Sequence, residues 1–184
     1  MDLSKSIQAL RNGKTILYPS DTIWGIGCDA TDANACGKII DIKNRPNDKS
    51  FIVLMDGFPM LERYINEFHE VCYDLADLAT QPLTIIYPNA RGLAASILAS
   101  DGSVGIRITK DPLCLKLIRG LRKPLLSTSA NISGSKNPET YSDIHDEIKS
   151  SVDEIVKQKL TEQMSAPSKL IKIGLSGEIT LIRK

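Results

Sequence analysis

The sequence predicts an α/β protein: a single domain built on a twisted, open, mixed sheet flanked by helices. Three observations point to it. Short apolar runs rich in β-branched residues alternate with helical patterns along most of the chain, and the last two runs flank a glycine-bounded turn, as in a hairpin. The composition, 42% hydrophobic and 24% charged in 184 residues, is that of an ordinary globular domain. That length suits one domain over residues 1–184, with no additional C-terminal domain and a core large enough to need no staples.

The elements follow in order. Residues 4–10 carry a short helical pattern that Gly13 ends, and Thr15-Ile16-Leu17-Tyr18 reads as a buried strand closed by Pro19. Residues 22–28 are a second β-rich stretch. Asp32 then caps a helix with Ala33, Cys36, Ile39 and Ile40 on one face, stopping before Pro46. Residues 51–55 are a short apolar strand, 59–65 and 69–78 read as helices, and 83–87 as another strand. A strand over 104–108, a helix over 112–119 and a strand over 124–128 follow. Residues 170–173 and 178–182 make a terminal hairpin around Gly174-Leu175-Ser176-Gly177. The most polar stretch, 133–163, has turn and helix signals, and the strand order is left open.

Lys and Arg number 23 against 22 Asp and Glu, a formal net charge of +1. That excludes a long-range field for holding duplex nucleic acid and leaves at most weak, local tRNA binding. Cys28, Cys36, Cys72 and Cys114 lie 8, 36 and 42 positions apart, with no CxxC pair for zinc or a redox dithiol. They read as small buried hydrophobes in a reducing cytoplasm. The longest apolar stretches run five or six residues, and the first five residues lack a secretory core, which predicts a cytoplasmic protein with no membrane partner.

Four local patterns imitate other functions. Gly13-Lys14-Thr15 copies the end of a phosphate-binding P-loop, but Gln8 stands where that motif requires glycine. Gly25-Ile26-Gly27-Cys28-Asp29-Ala30 matches GxGxxA between a strand and a helix. Against a dinucleotide fingerprint, the next strand ends at Met55-Asp56, later than the acidic residue expected about 20 positions on, and tight packing or a bulge explains the glycines equally well. Ser127-Thr128-Ser129-Ala130 has no GxSxG elbow, and His69 and His145, the chain's two imidazoles, sit in polar segments that predict solvated side chains. Trp24, beside a strand, reads as core ahead of a base-stacking platform.

Two segments carry chemistry. Lys43-Asn44-Arg45-Pro46-Asn47-Asp48-Lys49 places three cations in seven residues at a helix end, either a solvated face or a cluster converging on a polyanion such as a triphosphate. Ser127-Thr128-Ser129-Ala130-Asn131-Ile132-Ser133-Gly134 follows the apolar Pro124-Leu125-Leu126, so a buried strand ends in hydroxyls, an amide and a glycine. That is either a polar turn or a cradle for phosphate oxygens at the carboxyl end of a strand.

Together, Lys43-x-Arg45 and Ser129-x-Asn131 resemble the KxR and SxN signature of the YrdC-type threonylcarbamoyl-adenylate synthases. Residues 18–27, YPSDTIWGIG, are similar to that family's YPTDTVYGLG; residues 104–107 to its VAVR strand; and residues 127–134 match its STSANxSG. Pro167-Ser168-Lys169-Leu170-Ile171 and Ile182-Arg183 resemble its terminal elements, so the likeness runs from residue 15 to 183. It implies a YrdC-like fold. It also implies formation of threonylcarbamoyl-AMP and pyrophosphate from L-threonine, bicarbonate and ATP, for modifying the adenosine beside the anticodon in tRNAs reading ANN codons. Magnesium would arrive on the ATP phosphates with no protein ligands of its own, and a downstream threonylcarbamoyl transferase complex would take the product.

Carried over residue by residue, the resemblance places Lys43, Arg45, Ser129 and Asn131 in the catalytic group. Arg45, Lys49, Ser103, Asn131 and Arg183 would bind ATP, and Thr22, Arg107, Ser129 and Ser168 would bind threonine, with Arg107 suited to its carboxylate. The C-terminal hairpin would close over the nucleotide. Leu54 stands where the family often has a histidine near threonine, and Gln81 replaces a glycine of the family's PGPLT. Ser20 keeps a hydroxyl, and Trp24 would keep a flat aromatic wall where the family has tyrosine. The alternatives are a noncatalytic nucleotide- or RNA-binding module on the same fold, a carbamoyl-adenylate enzyme of the hydrogenase-maturation type and, behind these, a dinucleotide oxidoreductase.

Overall fold

Helices cover one face of a mixed sheet and leave its other face to form a cleft. The computed structural model describes residues 2–43, 51–132 and 134–184. In chain order these hold α1 (Ser4–Arg11), β1 (Ile16–Pro19), β2 (Trp24–Asp29), α2 (Ala33–Lys43), β3 (Ile52–Met55), α3 (Phe58–Tyr64) and α4 (Val71–Leu78). There follow β4 (Leu83–Tyr87), β5 (Val104–Ile108), α5 (Pro112–Leu121), β6 (Leu125–Ser129), α6 (Asp146–Ser151), β7 (Glu154–Ile155), β8 (Lys169–Ile173) and β9 (Ile179–Arg183). The strand order is β7-β1-β2-β6-β3-β5-β4-β8-β9. β3–β5, β4–β8 and β1–β7 pair parallel and the other neighbours antiparallel.

The expected alternation of strands and helices holds, with boundary changes that have local causes. The second strand starts at Trp24 rather than residue 22 because the Ser20 hydroxyl accepts from the amides of Thr22 (3.1 Å) and Ile23 (3.3 Å), closing a turn in which the chain cannot yet pair. Pro19 is the last residue of β1 and does not close it from outside. Asp32 caps α2 as expected, its Oδ1 accepting from the amides of Asn34 and Ala35. Asp111 does the same for α5, accepting from Cys114 N at 2.8 Å, with Pro112 in the first turn. β7 went unforeseen inside the polar 133–163 stretch: two residues at a sheet edge have no periodicity to read.

Register decides which side chains face the helices and which face the cleft. Cys28 of β2 lies 3.9 Å, sulfur to sulfur, from Cys36 of α2, which marks the helix side. All four cysteines are buried and unbridged. The Cys28–Cys36 contact raises the Cys28 thiol and burial raises those of Cys72 and Cys114, so these stay neutral and act as small hydrophobes. On the opposite side, Gly27, Ser127, Ile52 and Gly105 are successive cross-strand neighbours.

The two glycines of the GxGxxA pattern serve packing. A Cβ on Gly27 would lie 2.7 Å from the Leu126 carbonyl oxygen and 2.8 Å from the Tyr18 ring, and one on Gly25 would lie 3.4 Å from that ring. The glycines therefore make room for Tyr18, wholly buried, whose hydroxyl reaches Ser127 Oγ at 2.6 Å. Neither glycine has positive φ, so no tight phosphate-binding turn is present there. Gly27→Ala should cost about 1–3 kcal/mol through overpacking. Gly37→Ala in α2, where a Cβ meets nothing within 4 Å, should stabilise by about 0.5–1 kcal/mol; urea unfolding midpoints of the two variants check the pair.

Candidate active site

The cleft lies over the sheet face opposite α2. β2, β6, β3 and β5 supply its floor through Gly25, Ser127, Ser129, Ile52, Leu54, Gly105 and Arg107, which alternate along their strands as a single face requires. Ser20, Thr22 and Ile23 form one wall, and Pro167, Ser168, Leu170 and Arg183 the other, with Asn137 at the margin. Counting its open mouth, the cleft encloses about 820 Å³. Leu54 pairs in register with Arg107 and is 1% exposed, so an apolar side chain lines the floor beside the arginine.

Arg107 is the buried cation of this floor. Its side chain is 4% exposed; Nη1 donates to Thr22 Oγ1 at 3.2 Å, and Nη2 lies 3.2 Å from Asp21 Oδ1. Its Nε is buried and has no hydrogen-bond partner among the described residues. A buried guanidinium with an unused donor is prepared for an acceptor that is not part of the chain. Across the cleft, Arg183 donates through Nε (3.1 Å) and Nη2 (2.8 Å) to the Ser168 carbonyl, and the Ser168 hydroxyl meets Thr84 Oγ1 at 2.7 Å. Partial burial lowers the Arg183 pKa, but a guanidinium stays charged at neutral pH.

The Lys43–Asn131 pair is joined directly. Lys43, at the C-terminal end of α2, is 2% exposed, and its Nζ donates to the Ser129 carbonyl (2.6 Å), Asn131 Oδ1 (2.9 Å) and the Asn131 carbonyl. Ser129 Oγ donates to the same Oδ1 at 2.6 Å. The KxR and SxN segments thus meet through a buried ammonium, just behind the residues that line the cleft.

Of the residues singled out from sequence, Thr22, Arg107, Ser129, Ser168 and Arg183 come together on the cleft, with Lys43 and Asn131 supporting its edge. Ser103 does not line the cleft; it is buried in the turn before β5, its amide donating to Asp101 Oδ1. Arg45 and Lys49 lie outside the described residues. Trp24 belongs to the core, as its place beside a strand predicts, wholly buried against Tyr141 with ring centroids 5.3 Å apart; the aromatic wall implied by the resemblance is a correction, since Trp24 does not line the cleft. His145 is exposed as expected, but His69 is half-buried against the hairpin turn, where a Cβ on Gly177 would come within 2.9 Å of Nε2. Gln81 carries no positive φ, so its replacement of glycine brings no backbone strain. Asp21 and Tyr18, the partners of Arg107 and Ser127, stand in the 18–27 motif with nothing in the sequence to mark those roles; only their positions across the sheet expose them.

No group of three or more His, Cys, Asp or Glu able to hold a metal occurs among the described residues. The cleft's polar lining is hydroxyl, amide and guanidinium, a donor set suited to an anion and not to a cation cage. No helix among the described residues is long and apolar enough to cross a membrane.

Such a cleft defines a protein that binds small anionic ligands on an open α/β sheet. The Sua5/YciO/YrdC family model, described as telomere recombination, matches residues 8–184, and the chain belongs to that family. A threonylcarbamoyl-AMP synthase from Vibrio vulnificus is 28% identical over 173 residues, covering 88% of this chain and 89% of the relative. A variant of P. abyssi Sua5 superposes with TM-score 0.87 at 27% identity, covering 97% of this chain and 55% of that one. P. abyssi Sua5 complexed with L-threonine gives TM-score 0.82 at 26% identity over 92% of this chain and 50% of that one. The chain thus spans about half the length of those Sua5 chains.

Lys43→Met should remove the donor shared by the Ser129 and Asn131 carbonyls and cost about 1–3 kcal/mol. Tyr18→Phe, which removes one neutral hydrogen bond, should cost about 1 kcal/mol; thermal denaturation ranks the two variants, and equal effects would contradict the geometry.

Proposed function

We propose that this protein is a threonylcarbamoyl-AMP synthase, joining L-threonine, bicarbonate and ATP with release of pyrophosphate. The observation that carries the reading is Arg107: a buried guanidinium with an unpartnered Nε, beside the Thr22 hydroxyl, on the floor of a cleft in a fold shared with a threonine-bound Sua5. A carboxylate docked on Nε and a neighbouring Nη would supply the missing acceptor with two parallel bonds. The hydroxyls of Thr22, Ser129 and Ser168 surround that position and suit the amine and hydroxyl of threonine.

The chemistry needs no enzyme nucleophile. The threonine amine adds to bicarbonate and water leaves, giving an N-carboxylate. An oxygen of that carboxylate attacks the α-phosphorus of ATP, and pyrophosphate departs. The protein's part is to hold the reactants in line and set positive charge against the triphosphate. In this reading Arg45, Lys49, Asn131 and Arg183 contact ATP, and Lys43 holds the 129–131 backbone in place. Magnesium is part of the MgATP substrate and neutralises charge on the leaving pyrophosphate. The product passes to a threonylcarbamoyl transferase complex, with tRNA touched weakly at most; buried reduced cysteines suit a cytoplasmic enzyme.

Pyrophosphate release from MgATP should require both L-threonine and bicarbonate; ATP binding with no release under any combination would favour a noncatalytic nucleotide-binding module. Arg107→Ala should raise the KM for threonine far more than that for ATP, and Arg45→Ala should weaken ATP binding by about 1.5–3 kcal/mol. The reverse partition in steady-state kinetics would refute the assignments.

A further inference from the structure

Asp21 approaches Arg107 from behind. It does not line the cleft; it lines a second, smaller cavity of about 440 Å³, bounded also by Thr80, Gln81 and Lys110, and Arg107 is the charged residue shared by both cavities. The Asp21 side chain is 30% exposed while that of Arg107 is 4% exposed. At 3.2 Å from Nη2, Asp21 Oδ1 is within ion-pairing distance, yet this oxygen makes no aligned hydrogen bond. Thr22, the next residue, supplies the aligned contact to Nη1. The two neighbours therefore divide the work: Thr22 orients the guanidinium, and Asp21 offsets its charge.

We propose that Asp21 is the resident counter-ion of Arg107, a positioning residue that makes the cleft choose its carboxylate by geometry and not by charge. The proposal rests on the reading of Arg107 as the carboxylate-binding residue. A buried, uncompensated guanidinium attracts any small anion, chloride included. With Asp21 in place that attraction is largely cancelled, and a ligand gains only by making the paired, directional bonds that the free Nε and its neighbouring Nη offer. An amino-acid carboxylate does so; a spherical halide does not. Asp21 reaches the guanidinium from the second cavity, so a carboxylate can dock on the cleft side without displacing it. Asn at this position would keep the shape and remove the charge.

Thermal denaturation of the whole chain in sodium chloride and in sodium gluconate at equal ionic strength, about 200 mM, isolates halide binding from screening. Asp21→Asn should be stabilised by chloride relative to gluconate, and its KM for threonine should rise about threefold or more in chloride, whereas wild type and Asp21→Glu should show neither effect. Asp21→Ser carries the same expectation if Asn lowers stability too far. Absence of the chloride effect in both charge-removing variants would overturn the proposal, and so would chloride stabilisation with an unchanged threonine KM, which would place the halide elsewhere. If wild type shows no threonine-dependent pyrophosphate release, the synthase reading fails separately, and the denaturation comparison still decides whether Asp21 masks Arg107 from anions.

Discussion

The cleft depends on one buried ammonium. Taking Lys43 Nζ out of water is costly unless its donors are satisfied, and three oxygens of residues 129 and 131 satisfy them. These partners are two backbone carbonyls and a side-chain amide oxygen. The contact ties the end of α2 to the end of β6 and to Asn131 beyond it, 86 to 88 residues along the chain.

The two faces of the sheet follow from residue size and register. On the helix side, Ile26, Cys28, Val53, Met55, Ile106 and Leu126 are buried in the core. On the other side, Gly25, Gly27 and Gly105 keep the floor low, and Tyr18 lies across the first two to hold Ser127. Burial raises the Tyr18 phenol far above its ordinary pKa, so it remains a neutral hydrogen-bonding group. Small residues and one reclining aromatic ring thus make a concave polar surface from a strand pattern that otherwise reads as buried sheet.

Charge is arranged differently on the floor and on the hairpin wall. Arg107 sits near the end of β5 with Asp21 ion-paired to it from behind, while Arg183, on the terminal hairpin, donates to the neutral Ser168 carbonyl. That hairpin is lightly anchored: Ile179, Leu181 and Ile182 are each more than half exposed, and β9 forms a sheet edge. The wall carrying Arg183 is therefore less buried than the floor carrying Arg107, and local opening is cheaper on that side.

Much of this was legible in the residues alone. The alternation of apolar runs sufficed for the fold class, Asp32 for a helix cap, and the ordered motifs from Tyr18 to Arg183 for the family, because local hydrogen bonding and periodicity act over a few residues and leave their mark in sequence. Strand order, the partnership of Asp21 with Arg107, the bed that Gly25 and Gly27 make for Tyr18, and the burial of Trp24 against Tyr141 were decided only by the tertiary structure. Each joins residues through space across sheet register or loop packing, and such contacts leave no periodic trace along the chain.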